Sequence, residues 1–143
     1  MKNTVLLAIL AFAVSGCATT NGVFYRHRQA HKLCSAVTLL QKKEVPAAME
    51  LLTAITNEQG VADVTDEALF RLAVLNLGTD PDKGQIAKSL QLLKRLEEDY
   101  PASPWTVQAA PLQKLLAETK ELRRNLQKLK ILDMELEQKR DLR

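Results

Sequence analysis

Apolar and polar residues along most of this chain follow the period of an α-helix, and turn residues cut the pattern into five helical pieces after an initial apolar run. From Phe24 to about Lys43, the residues Leu33, Ala36, Val37 and Leu40 share one face at three- and four-residue spacing, which predicts a first amphipathic helix. Lys42, Lys43 and Glu44 end it. Pro46 suits the first turn of a second helix, where its missing N–H is not needed, with Ala48, Leu51, Leu52 and Ile55 as the buried face. Asn57 to Val64 is a break containing Gly60. Thr65 or Asp66 is a suitable N-cap for a third helix that buries Leu69, Leu72, Ala73 and Leu75 to Leu77. Gly78 to Gly84 reads as a loop, and a fourth helix from Gln85 to about Asp99 carries Ile86, Leu90, Leu93 and Leu96. Tyr100 and Pro101 close it.

Pro104 opens the last helix, with Pro111 expected either to bend it or to mark its true first turn. From Leu112 to Arg143 there is no glycine or proline, and at 1.5 Å per residue the segment would reach roughly 48 Å if fully helical. Leu115, Thr119, Leu122, Leu126, Leu129, Asp133 and Leu136 recur at alternating steps of four and three, the seam of a coiled coil interrupted at Thr119 and Asp133. Leu132, beside Asp133, can shift that register. The flanking Lys, Arg, Glu and Gln positions fit exposed sides. Two arrangements follow: a coil that projects or self-associates, or a single solvated helix lying back on its domain.

The chain starts with one positive charge at Lys2, an apolar run from Val5 to Val14, and then the small residues Ser15 and Gly16. This is the pattern of a secretory signal over residues 1–16, too short for the roughly 20 apolar residues of a permanent span. Val14, Ser15, Gly16 and Cys17 together resemble the bacterial lipobox, which implies lipidation of Cys17. Acyl chains contribute about 0.8 kcal/mol per buried CH₂, and two or more chains anchor stably. Residues 17–23 then read as a lipidated tether, small and polar with nothing to bury. In Gram-negative lipoproteins, the residue after the cysteine sorts the protein. Ala18 here, in place of the retaining aspartate, implies the periplasmic face of the outer membrane.

Twenty Lys and Arg against 17 Asp and Glu give a net charge of +3, lowered by one if Lys2 leaves with the signal. That near-balance argues against nucleic acid as a partner, which calls for a strongly basic face. If Cys17 is lipidated, Cys34 is the only other thiol and has no intramolecular disulfide partner. Its neighbours in the apolar stripe suggest a buried small hydrophobe, with intermolecular pairing or redox sensing as alternatives. His27, His31 and Cys34 could share a helix face and ligate a metal, but no acidic residue joins them, and Arg26, Arg28 and Lys32 would repel a cation. Ser35 has no patterned base, there is no Gly-rich phosphate loop, and no carboxylate pair stands out. Neither an enzyme nor a cofactor is expected. Tyr100 and Trp105 flank the turn from Pro101 to Pro104, either as a hydrophobic clasp for the last helix or as anchors for a partner peptide.

Val45, Ala48 and Leu52 occupy the pattern of a tetratricopeptide second helix, and Ser89, Leu93, Leu96 and Pro101 repeat it. The expected fold is therefore all-α. Tetratricopeptide-like antiparallel hairpins would fill residues 24–111, followed by a long coiled-coil-like helix over 112–143. The segment Glu67 to Ala73, the Asp and Pro loop through Lys83, and the run Leu92 to Pro104 together resemble small proteobacterial outer-membrane lipoproteins with tetratricopeptide-like helices, in the style of the BamD and YbgF groups. The tail from Leu126 to Arg140 is similar to the terminal helix of QseG-like lipoproteins, which are associated with an envelope-sensing histidine kinase and its response regulator. The resemblance implies a lipid-anchored periplasmic interaction adaptor, accessory to such a two-component system. Its partner would be the kinase sensor domain, docked on Tyr100, Trp105, Leu122, Leu126, Leu129 and Leu136, with self-association through the terminal helix also open. The alternative is a structural subunit of an outer-membrane assembly or division complex.

Overall fold

A computed structural model describes the backbone of residues 2–78 and 81–142 and the side chains of residues 22–78 and 81–142. The described residues form five helices and no strand: α1 (Lys2–Gln41), α2 (Val45–Asn57), α3 (Thr65–Leu77), α4 (Lys83–Asp99) and α5 (Pro104–Asp141). The chain is all-α, with a long C-terminal helix. Cys17 and the apolar run before it lie outside the residues whose side chains are described. The backbone of residues 17–23 is helical and part of α1. No proline precedes Pro46, so nothing in that stretch removes a helical hydrogen bond. Among the described residues, no helix is long and apolar enough to cross a membrane.

The chain divides into two compact units, Met1–Ala68 and Leu69–Arg143, with the boundary inside α3. In the first unit, α1 and α2 pack as a hairpin. Leu33 and Ala36 of α1 are buried, as are Ala48, Leu52 and Ile55 of α2. Fully buried alanines on both helices let their axes approach closely. The turn between them is a Schellman closure. Glu44 N–H donates to the Leu39 carbonyl at 2.9 Å, Lys43 N–H donates to the Leu40 carbonyl at 3.0 Å, and Lys43 adopts a positive φ of 63°. The α1 residues Tyr25, Arg26, Gln29 and Lys32 fasten the connection after α2. Tyr25 Oη donates to the Gln59 carbonyl at 3.0 Å, Arg26 pairs with Asp63 at 2.9 Å, and Gln29 and Lys32 both donate to the Glu58 carboxylate.

Those two donors hold the Glu58 carboxyl below its ordinary pKa, Lys32 first and Gln29 second. The α3 helix starts at Thr65, whose hydroxyl accepts the Val61 N–H at 2.9 Å and so ties the preceding turn to the helix.

The second unit is built on Leu69 and Ala73 of α3, Ile86, Leu93 and Leu96 of α4, and Ala109 and Leu116 of α5. Because α5 supplies core residues on both sides of residue 112, its first turns belong to the same compact unit as α4. The α4 helix begins at Lys83, earlier than Gln85, because Asp82 and Gln85 form a capping box: Gln85 N–H donates to Asp82 Oδ1, and Asp82 N–H to Gln85 Oε1, each at 2.7 Å. In α5, Ser103 is the N-cap and Pro104 opens the helix, so Pro111 is an interior proline and not the first turn. Its missing N–H removes the helical donor of the Val107 carbonyl, and Val107 lies on the exposed side of the helix.

Candidate functional site

Two faces of α5 do different things. Trp105, Ala109, Leu112 and Leu116 turn towards the second unit's core, at steps of four, three and four. The seam leucines Leu122, Leu126, Leu129 and Leu136 are 62%, 50%, 62% and 65% exposed, and Leu115 is 59% exposed. At about 100° per residue, the stretch of seam beside the domain lies roughly 90° around the helix from the packed face. Packing within the unit therefore leaves the leucine stripe uncovered. Leu126, Leu129, Leu132 and Leu136 border one shallow groove, and Leu115, Thr119 and Leu122 another. The Thr119 hydroxyl donates to the Leu115 carbonyl at 2.8 Å, so this polar seam position is satisfied by its own helix.

Set as a heptad, every d position from Leu115 to Leu136 is leucine, while a positions hold Thr119, Leu126 and Asp133. Leu132 and Met134 are exposed to either side of Asp133, while Ile131 is exposed on the opposite side of the helix. The exposed leucine stripe is thus broken at Thr119 and Asp133, and packing within the unit covers none of its leucines from Leu122 to Leu136.

Tyr100 and Trp105 are half-buried against the second unit's own core. The Trp105 ring stands 5.2 Å from the Phe70 ring, and the Arg71 guanidinium lies 5.4 Å from its centroid on a face. Ser103 Oγ accepts the Trp105 N–H at 3.2 Å, and Thr106 Oγ1 donates to the Tyr100 carbonyl at 2.7 Å. This is the packing of a clasp that fixes the start of α5. The structure does not bring these aromatics onto the leucine seam.

Cys34 is exposed, which corrects the expectation that it is buried. It sits about 100° around α1 from Leu33, off the stripe of Leu33 and Ala36. His27 and His31 are exposed on the same side, and among the described residues no group of His, Cys, Asp or Glu is placed to hold a metal. One further cluster has no motif in the sequence to announce it. Lys83 from α4 meets Lys120, Arg123 and Arg124 from α5 around a cleft.

No protein-family model, curated protein or solved structure matches this chain, so its fold class rests on its own five helices.

Proposed function

We propose that the chain is a lipid-anchored adaptor of the cell envelope, held by acyl groups on Cys17 at the periplasmic face of an outer membrane and docking a protein partner along the α5 seam. One observation carries the docking reading: the leucines at 122, 126, 129 and 136 are half or more exposed, while the same helix packs its own domain with a different face. From Leu115 to Leu136 the exposed seam offers a partner about 32 Å of helix surface. The lipobox-like order of residues supports the anchor, and the resemblance of the tail supports a histidine kinase sensor domain as the partner. The hairpins α1–α2 and α3–α4 are read as tetratricopeptide-like, on the burial of the small residues Ala48 and Ser89.

Asp133 bears on the occupant. In a parallel, in-register pair of identical helices, Asp133 would face its own copy at an a position, where two carboxylates repel. This favours a different partner helix over self-association. The test is site-specific photocrosslinking in cells. A photoreactive residue at Leu122 or Leu129 is expected to capture one discrete envelope protein, and the same residue at Lys128, about 100° around α5 from Leu129 and off the seam, is not. Equal capture from both sides, or none from the seam, would count against docking there.

A further inference from the structure

The cleft between the start of α4 and the middle of α5 holds a concentration of positive charge that adaptor binding along the seam does not use. Lys83, Lys120, Arg123 and Arg124 surround a volume of 220 Å³ floored by Ile86, which is 1% exposed. Lys120, Arg123 and Arg124 are spaced i, i+3 and i+4, so one side of α5 presents all three together. Lys83 joins them from the first turn of α4.

The described contacts hold this cluster in shape. Arg123 Nη1 donates to the Pro81 carbonyl, and Lys83 Nζ donates to Gln127 Oε1. The acceptor that Lys83 uses is uncharged. Among the described residues, Lys83, Lys120 and Arg124 make no ion pair, and no carboxylate lines the cleft. Cations gathered this closely repel one another unless an anion sits among them.

The geometry points to a binding site for a phosphate ester, with the phosphate among the Lys and Arg head groups and its organic stem against Ile86. Guanidinium groups offer paired donors to phosphate oxygens, and ammonium groups add point charge. The floor and the aliphatic stems of the basic side chains supply an apolar wall that a bare inorganic ion would not use. The volume suits a head group with a short stem, below the roughly 300 Å³ of a typical drug-sized pocket. Such an ester reaches the cleft either as a phospholipid head group or as a soluble metabolite. This inference stands apart from the seam and from any protein partner.

Calorimetry on the full chain in neutral detergent tests it. The chain is titrated with glycerol 3-phosphate in one arm and with dioctanoyl phosphatidylglycerol in mixed micelles in the other. Saturable binding in either arm is expected, weakening as salt is raised, and the arm that binds identifies the source. K120E/R124E is expected to weaken binding by about tenfold or more, and the milder K120Q/R124Q, checked for unchanged helicity, should weaken it in the same direction. The absence of saturable binding in both arms would overturn the proposal. So would affinity unchanged in both double variants.

Discussion

Ser89 Oγ donates a hydrogen bond of 2.8 Å to the Ala73 carbonyl oxygen, from one helix to the backbone of another, with Ser89 completely buried. A serine hydroxyl can reach a neighbouring helix backbone in this way only where the two axes come close, and the small side chain is what permits the approach. Ser89→Ala should therefore cost about 1 kcal/mol, the net value of a buried hydrogen bond. Ser89→Leu should cost more, on the order of 1–3 kcal/mol, by forcing α3 and α4 apart. Denaturant unfolding of the two variants checks the order. A leucine variant as stable as the alanine one would mean the helices are not closely packed at Ser89.

Lys43 occupies the left-handed position of the Schellman turn with a φ of 63°, a conformation that costs a side chain with a Cβ about 1 kcal/mol. Lys43→Gly is expected to raise the stability of the α1–α2 hairpin by up to about that amount, and thermal melting reads the sign. A lower melting temperature would show that Lys43 contributes contacts outweighing its backbone strain.

Glu58 links protonation to the stability of the first unit. Its carboxyl is held below its ordinary value of 4.5, chiefly by hydrogen bonding from Lys32 and then from Gln29. The sign follows from linkage. A depressed folded-state pKa stabilises the fold above the unfolded value, and that contribution is lost as pH falls through the folded value. Acidification from pH 6 to below about pH 4 should therefore erode the stability of the wild-type chain more than that of Glu58→Gln. Parallel loss in both would place the acid sensitivity elsewhere.

Cys34 should react with iodoacetamide in the folded protein, without denaturant, because its side chain is exposed. Modification that required unfolding would contradict the structure at this position.

Helix faces were largely legible from spacing alone, because burial of Leu33, Ala36, Ala48, Leu52, Leu93 and Leu96 follows directly from a 3.6-residue period. Cys34 shows the limit of that reasoning: one residue after a buried leucine is a quarter-turn or more away, so membership of a stripe has to be judged by angle and not by proximity. The start of α4 was present in the sequence as Asp82 and Gln85 three apart, but the glycine and proline around it gave the stronger signal of a loop. The seam was visible as a heptad, whereas its separation from the packed face of α5 depends on where α4 lies. The basic cleft was not visible at all, since Lys83 and Lys120 are brought together by the fold across a long stretch of chain.

The central claim is that the leucine seam of α5 is covered by a partner in the envelope. Thiol labelling of single-cysteine variants tests it most directly, with Leu129→Cys on the seam and Lys128→Cys on the polar flank beside it, each in a Cys34→Ser background. The account predicts that Leu129→Cys is labelled slowly in intact envelopes and quickly once purified, while Lys128→Cys is labelled quickly in both. Equal, rapid labelling of the two positions in envelopes would contradict it.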